Sequence, residues 1–392
     1  MFDAILLATY GGPEKLEDVA PFLDAVLQGK KIPPARRALV EQRYRRYNGL
    51  SPAPQAARNL RDAIISCLSE QQSSTRVYLG NLYTSPTLVD ASRTLLKDAP
   101  KNVLVFPCSP IGSAPSCQRY RQAAFRALHE ASSELPSAPR IVFAPPFCDQ
   151  EAFQRAFADA ILSELAWCEL DECGRNGFDV QKHLQTSPKR LILFTAHSIP
   201  QNLANCAQYS RQLICTARHI MTRILTAVSA NGDAPETLRQ TISTRYPQTL
   251  NQWLERFEDQ ALIDALQESL AQRALEMTLA YQSRSGSPRD VWIEPSVEDA
   301  VRLYKDANPL LKDVIVVPIG FFFENMETIH DLDVELKEVC EQLQLNYRRA
   351  QCVGAQEIMA RFIAELSRLD VEDFSESSCL QEECRLQCRL DT

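Results

Sequence analysis

The chain has 392 residues, of which 45% are hydrophobic and 23% charged, and this ordinary globular composition predicts two domains with sizeable cores. Its net charge is -8 and its lysines and arginines are scattered along the sequence, which excludes nucleic acid as a partner. No run reaches the roughly 18 apolar residues needed to span a bilayer. We therefore expect a protein without a transmembrane segment that is soluble or at most peripheral to a membrane.

The cysteines and the first residues of the sequence indicate a reducing compartment. Met1, Phe2 and Asp3 lead directly into apolar residues, so we expect no secretory signal. The 13 cysteines are expected to be reduced thiols, some of them with a metal or cluster, rather than a disulfide framework. These features together predict a cytoplasmic protein.

Short apolar runs alternate with helical patterns along the chain, which predicts an α/β protein with parallel sheets. In such sheets, ligands bind in the loops at the carboxyl ends of the strands. The predicted strands cover 4–9, 77–82, 102–107, 140–145, 190–195 and 313–319.

The division into domains follows changes in composition. We place a first domain at 1–150, a second at 151–370 and a cysteine-containing tail at 371–392. Residues 228–278 are polar and helix-patterned around Trp253, and are expected to form an added helical hairpin within the second domain.

The first predicted strand runs into Thr9-Tyr10-Gly11-Gly12-Pro13. Two glycines allow the backbone to approach a ligand closely, and Tyr10 presents a phenol at the strand end. The alternative is a tight turn with no ligand. The segment lacks the glycine spacing of a phosphate-binding loop, so nucleotide binding has no support.

His197 in the segment FTAHSIP follows directly after a predicted buried strand. An imidazole in that place is held rigidly where substrates bind, and it could act as a base or as a metal ligand. His129, His183 and His219 fall in polar helical settings and are interpreted as surface residues.

Three acidic residues at a spacing of four follow the predicted strand at 313–319: Glu327, Asp331 and Glu335. A helix would place their carboxylates on one face, where they could attract a divalent cation. A solvated acidic face is the alternative. The segment FFFENMETIHDLD also combines apolar rings, acids and His330, a mixture that favours a flat apolar substrate together with a metal.

These segments, in this order, resemble the ferrochelatase family over almost the whole chain. The resemblance rests on TYGGP at 9–13, YNGLSP at 47–52, FTAHSIP at 194–200, YQSRSG at 281–286 with Trp292, and GFFFENMETIHDLDVE at 320–335. It implies two chelatase-type, Rossmann-like domains, each a four-stranded parallel sheet flanked by helices, with a porphyrin in the cleft between them. It also implies a lyase of heme biosynthesis whose substrates are porphyrin and Fe²⁺.

The resemblance assigns roles by position. His197 becomes the base or metal ligand, Glu327 its partner at the metal, and Asp331 and Glu335 an acidic row for cation or proton passage. Contacts to the porphyrin are implied for Tyr10, Ser51, Gln282, Ser283, Trp292, Phe321 and Lys30. Two departures from the family are Leu27–Lys30 in place of a basic propionate-binding cluster and Asn325 in place of a second histidine.

Several alternatives stay open from the sequence. Tyr10 is typical of relatives that use coproporphyrin III, which is the preferred substrate, with protoporphyrin IX as the alternative. Other readings are a chelatase for another tetrapyrrole and metal, and a catalytically silent porphyrin-binding protein. We expect a monomer or a homodimer.

The cysteine-containing tail resembles the cluster-bearing tails of some ferrochelatases. Cys379, Cys384 and Cys388 would supply three ligands of a [2Fe–2S] cluster, with Cys108 or Cys117 as the fourth. Unrelated reduced thiols are the alternative.

Overall fold

The chain folds into two compact units. Unit 1 contains Met1–Pro146, Phe322–Met326 and the chain from Val353 onward, and unit 2 contains Phe147–Phe321 and Glu327–Cys352. The computed structural model describes residues 1–29, 33–133, 137–173, 189–228, 235–243, 250–285 and 290–373. No helix in these ranges is long and apolar enough to cross a membrane.

Unit 1 is built around a four-stranded parallel sheet with the strand order β2-β1-β3-β4. Its strands are β1 (Ala4–Thr9), β2 (Arg76–Asn81), β3 (Asn102–Pro107) and β4 (Arg140–Phe143). Its first helices are α1 (Leu16–Leu27), α2 (Pro34–Arg46), α3 (Ala53–Glu70), α4 (Leu88–Leu96) and α5 (Arg119–Ser132), the last preceded by a π-helix at Ala114–Gln118. Every residue of β1 is buried, as expected for a central parallel strand that is covered on both faces.

Unit 2 repeats the same plan with the strand order β6-β5-β7-β8. Its strands are β5 (Lys189–His197), β6 (Leu275–Gln282), β7 (Leu311–Val317) and β8 (Asn346–Arg349). Its helices are α6 (Glu151–Cys173), α7 (Gln201–Cys206), α8 (Tyr209–Val228), α9 (Glu236–Ser243), α10 (Leu250–Phe257), α11 (Gln260–Ala271), α12 (Val297–Ala307), a π-helix at Thr328–Leu336 and α13 (Lys337–Gln342).

The predicted α/β class with two four-stranded parallel sheets is confirmed, and all six predicted strands are present. The sequence did not reveal β6 and β8. Both are edge strands, and neither has the continuous apolar run of a central strand. Residues 275–278, which the helical pattern of the sequence included, lie in β6.

Residues 353–370 belong to unit 1, although the sequence division placed them in the second domain. Helix α14 (Glu357–Leu366) packs against α3, and a short 3-10 helix follows at Val371–Asp373. The backbone amide of Phe2 donates to the carbonyl of Ser367 at 2.9 Å, which ties the start of the chain to this helical segment.

The helices between α8 and β6 pack onto α8 through buried aromatic rings. Trp253 and Phe257 of α10 are each 1% exposed, and the ring of Phe257 stacks on His219 of α8 at 4.4 Å. The interpretation of His219 as a surface residue is therefore wrong, because this helical segment covers it. Burial and nearby arginines hold the pKa of His219 well below its usual value, so the imidazole is neutral.

A buried ion pair fastens the amino-terminal ends of β5 and β7. Arg190 has a fully buried side chain, and its Nε lies 3.4 Å from Oδ2 of Asp313. The other carboxylate oxygen of Asp313 accepts a hydrogen bond from Asn346 of β8 at 2.8 Å. Removing either charge would leave the other buried without a counterion, which is strongly unfavourable.

We expect Asp313→Ala to lower the free energy of unfolding by about 3–5 kcal/mol, because the Arg190 charge would be left uncompensated. Urea denaturation of the full chain measures this change. Asp306→Ala removes an exposed acid from α12 and is expected to change stability by no more than about 0.5 kcal/mol. Equal effects of the two substitutions would contradict the role given to the buried pair.

Candidate active site

His197 is the last residue of β5, at the point where the strand order of unit 2 reverses between β5 and β7. Ligands in open α/β sheets bind at this kind of switch point. The side chain is 29% exposed, so it is reachable from solvent. Its Nδ1 lies 2.5 Å from the carbonyl oxygen of Ser198, and because a carbonyl only accepts, Nδ1 carries the hydrogen. Nε2 is then the nitrogen available for chemistry.

A glycine brings the chain that leaves β7 against the end of β5. An added Cβ at Gly320 would lie 2.5 Å from Cβ of Ala196, closer than two carbon atoms can approach. The amide of Gly320 donates to the carbonyl of Thr195 at 3.1 Å. A residue with a side chain at position 320 would therefore push this chain away from His197.

Glu327 faces His197 across this junction. Its Oε1 lies 3.5 Å from Nε2 of His197, and its side chain is 44% exposed. The side-chain amide of Gln282, at the end of β6, donates to the backbone carbonyl of Glu327 at 3.2 Å. The ends of two neighbouring strands thus fix the imidazole and the backbone that carries the carboxylate.

The helix that follows Glu327 is a π-helix, whereas the sequence analysis assumed the ordinary helix that would align all three acids. Asp331 is buried and accepts a hydrogen bond from the hydroxyl of Ser283, and its charge acts on His197. Glu335 instead lies 3.4 Å from Nε2 of the buried His330. Short π segments occur frequently at functional sites.

The electrostatic environment makes His197 a strong base. Burial opposes the charged imidazolium, but the charge of Glu327, its hydrogen bond, the Ser198 carbonyl and the charge of Asp331 outweigh burial. Together they raise the pKa of His197 to about 9, so the side chain carries a proton at neutral pH.

The site offers a metal ion few protein ligands. Within the described part of the chain, no three His, Cys, Asp or Glu side chains are grouped closely enough to hold a metal ion. His197 and Glu327 are a pair, and Glu335 lies with His330 rather than with them. A cation bound here would need further ligands from its partner molecule.

Trp292, one of the residues expected to contact porphyrin, helps to hold the loops of unit 2. Trp292 is 7% exposed and its backbone pairs with Pro200, just after His197, while the carbonyl of Ile293 accepts from the hydroxyl of Ser198 at 3.0 Å. Phe321 is buried as well. The next ring, Phe322, belongs to unit 1, where it packs near Phe106 with 6.5 Å between ring centroids.

In unit 1, Tyr10 follows β1 at the corresponding switch point between β1 and β3. Its ring is 39% exposed and rests edge-on against Tyr83 at 4.8 Å and Phe22 at 6.1 Å. Ser51 is buried beneath the Gly11–Pro13 turn, and its amide donates to the Pro13 carbonyl at 2.9 Å. Lys30 lies outside the described residues, as do Cys379, Cys384 and Cys388.

Sequence reasoning missed three side chains that support these groups. Tyr209 of α8 is buried and donates its hydroxyl to the carbonyl of His197 at 3.2 Å. Tyr83 supports Tyr10, and Arg119 donates to the Tyr83 hydroxyl at 2.7 Å. The position of Tyr83, directly after a predicted strand, was the one available signal, since Tyr209 and Arg119 lie on helices without a distinctive motif.

Known proteins with similar sequences are ferrochelatases. A sequence model of the Ferrochelatase family matches residues 2–370. The chain is 28% identical to the ferrochelatase of Rhodopirellula baltica over 385 residues, which cover 97% of this chain and 90% of the relative. It is 30% identical to the coproporphyrin III ferrochelatases of Streptomyces coelicolor and Corynebacterium diphtheriae, over 93% of this chain and 84% and 85% of those relatives.

The family match spans both sheets and includes every described site residue. The resemblance inferred from the motifs is thereby confirmed, together with the enzyme class that it implies. The chain belongs to the ferrochelatase family, the chelatases that insert ferrous iron into a porphyrin in heme biosynthesis.

Proposed function

We propose that His197 and Glu327 form the centre at which this ferrochelatase exchanges porphyrin protons for Fe²⁺, and that its porphyrin is coproporphyrin III. The observation that carries the first part is the 3.5 Å approach of Nε2 of His197 to Oε1 of Glu327 at the switch point of unit 2. The second part is supported by the names of similar relatives and by Tyr10.

A site with two protein ligands suits a metal that must leave it. Imidazole and carboxylate are both good ligands for Fe²⁺, but two of them bind the ion less firmly than a closed set of four would. The four pyrrole nitrogens of a porphyrin can then take over the coordination. Fe²⁺ is accordingly a substrate that passes through the pair.

The same pair can receive the porphyrin protons. Insertion removes two protons from pyrrole nitrogens, and each needs an acceptor within hydrogen-bond reach. The approaching cation displaces the proton that Nε2 of His197 carries, and this proton leaves to solvent by way of Glu327. When the cation passes to the porphyrin, the freed Nε2 accepts one pyrrole proton and the Glu327 carboxylate accepts the other. Glu327, 44% exposed, connects this nitrogen with solvent.

The acidic row is proposed to serve passage of protons or cations. Asp331 lies close enough to affect His197 and is fixed by the hydroxyl of Ser283. Glu335 is 43% exposed and stands beside His330 on the same π-helix. The row therefore leads from the His197 pair to a second pair, the buried imidazole of His330 and the exposed carboxylate of Glu335.

The aromatic group of Tyr10, Tyr83 and Phe22 in unit 1 is proposed to contact the macrocycle. An exposed tyrosine ring supported edge-on by two other rings presents a rigid, mostly apolar surface with a polar tip. Such a surface fits a flat apolar ring system with polar substituents. Ser51 acts indirectly, by supporting the turn that places Tyr10.

The tail cysteines stay a proposal as ligands of a [2Fe–2S] cluster. As a fourth ligand, Cys108 fits poorly, because burial raises the pKa of its thiol far above the usual range and keeps it protonated. Cys117 is also buried, with its thiol donating to the Ser113 carbonyl at 3.5 Å. Only Cys117 is retained as a candidate.

A cytoplasmic location and a monomeric or homodimeric state are likewise proposed. The cysteines whose side chains are described are all free thiols, as is typical of a reducing compartment: Cys67, Cys108, Cys117, Cys148, Cys215, Cys340 and Cys352.

We expect His197→Ala to lower the rate of iron insertion by about 100-fold or more, because the variant loses both the proton acceptor and a metal ligand. Coproporphyrin affinity, followed by fluorescence quenching, should stay unchanged. His129→Ala replaces an exposed histidine of α5 and serves as the matched control. Near-normal insertion by His197→Ala would refute the proposed centre.

Metal binding should release a proton from the pair. At pH 7.5 His197 is protonated, because its pKa of about 9 lies above the solution pH, and a metal at Nε2 displaces about one proton per ion. Calorimetry with Zn²⁺ as a redox-stable probe, in buffers of different ionisation enthalpy, counts this proton. Affinity should also rise with pH until His197 loses its proton near pH 9.

In Glu327→Gln the pKa of His197 should fall, because burial still disfavours the imidazolium and the charge of Glu327 that opposes burial is gone. Both proton release and metal affinity should therefore decrease. Glu338→Gln removes an exposed acid from the neighbouring helix α13 and should leave both unchanged. A wild-type protein that binds Zn²⁺ without proton release at pH 7.5 would contradict the assignment.

The porphyrin preference is tested by comparing substrates directly. We expect kcat/KM for coproporphyrin III to exceed that for protoporphyrin IX by about tenfold or more, because coproporphyrin III offers four carboxylates to hydrogen-bond donors of the protein and protoporphyrin IX offers two. Anaerobic steady-state assays with Fe²⁺ give both values. Equal or faster turnover of protoporphyrin IX would show that the preference is wrong.

A further inference from the structure

Unit 1 holds a cation without a carboxylate partner at the edge of its sheet that binds ligands in this kind of fold. Arg119 is the first residue of α5, and its Nη1 donates to the hydroxyl oxygen of Tyr83 at 2.7 Å. Among the residues that the structure describes, Arg119 forms no ion pair with Asp or Glu. Its charge acts on Tyr120, but burial raises the pKa of that phenol and keeps it neutral, so Tyr120 supplies no counterion.

The contact between Arg119 and Tyr83 leaves hydrogen-bond donors of both side chains unused. The Tyr83 oxygen accepts from Arg119, so its own hydrogen points away from the guanidinium, and no group in the described part of the chain accepts it. The guanidinium has further N–H donors in its planar fork beyond the one that Tyr83 accepts. An O–H donor and N–H donors with a positive charge therefore lie side by side.

These donors lie next to the ring of Tyr10. The ring of Tyr83 lies edge-on to Tyr10 at 4.8 Å and to Phe22 at 6.4 Å, and it packs against the apolar cluster of α1. Tyr10 follows β1, Tyr83 follows β2, and Arg119 begins the helix after β3, so three neighbouring strands supply these groups. Packing thus holds the Tyr83 phenol, and the phenol holds the guanidinium, at the rim of a mostly apolar surface.

We propose that Arg119 and Tyr83 bind one propionate carboxylate of the porphyrin, with the phenol donating to one oxygen and the guanidinium to the other. The inference rests on the proposed function, because that function places the macrocycle against Tyr10. A carboxylate that leaves water needs several donors and a counterion, and this pair supplies both. Arg119 is thereby a substrate-binding residue as well as the support of Tyr83.

Titration of the full chain with coproporphyrin III and with its tetramethyl ester, both in the same dilute nonionic detergent, tests the assignment by fluorescence quenching. We expect Arg119→Gln to weaken binding of coproporphyrin III about tenfold or more, because a charge-assisted hydrogen bond is lost. Affinity for the ester, which has no charged carboxylate, should change far less. A residue that only supported the ring of Tyr83 would affect both ligands alike.

Two control variants accompany this titration. Arg126→Gln removes an exposed arginine further along α5 and should leave both affinities unchanged. Tyr83→Phe keeps the ring but loses the hydroxyl, so it should weaken binding of coproporphyrin III about threefold or more. Its control is Tyr78→Phe, which removes a hydroxyl of β2 that donates to Asp98 and should have no effect.

Unchanged affinity for coproporphyrin III in Arg119→Gln, or an equal loss for the acid and the ester, would overturn the assignment of Arg119 and leave the proposed function intact. A wild-type protein that does not bind coproporphyrin III would refute the proposed function as well.

Discussion

The close packing of Gly320 against Ala196 is the constraint on which the geometry of the His197 and Glu327 pair depends. It allows the chain that leaves β7 to run directly beside the end of β5, and the amide of Gly320 secures it to the Thr195 carbonyl. His197 ends one of these strands, and Glu327 follows the other. Because both strands are central in the sheet of unit 2, their ends are held by pairing on both sides, so the imidazole and the carboxylate meet on a rigid frame.

The groups around His197 also determine its protonation. Burial would by itself make His197 a weak base, but Glu327, Asp331 and the Ser198 carbonyl together more than reverse this effect. His197 therefore holds a proton on Nε2 at neutral pH. If Fe²⁺ binds at this nitrogen as we propose, proton and cation compete for it, and iron delivery is coupled to proton removal. Two protein ligands would also bind a metal more loosely than a closed set of four, which suits the proposed transfer to a porphyrin.

Unit 2 carries more structure than this site needs. The helices between α8 and β6 bury Trp253 and Phe257 over a neutral His219, so they are firmly attached to the sheet domain. At the same time α11 stands away from β6 and leaves its edge half-open. An uncovered edge strand is normally protected by charge or by a covering element. Here the helical segment covers the edge strand only in part and leaves a cavity of about 690 Å³ beside it.

The sequence by itself determined the α/β class, six of the eight strands, the place of His197 at a strand end and the family, because buried strands and strand-end motifs are local patterns. The tertiary structure decided what depends on distant contacts. In the fold, His197 lies beside Glu327, and the acidic row forms a π-helix in which Glu335 lies beside His330. Tyr209 and Tyr83 support His197 and Tyr10. It also buried His219 and formed β6 and β8, whose half-exposed residues have no continuous apolar run. Burial and pairing of these residues are set by neighbours far along the chain, which a local pattern does not contain.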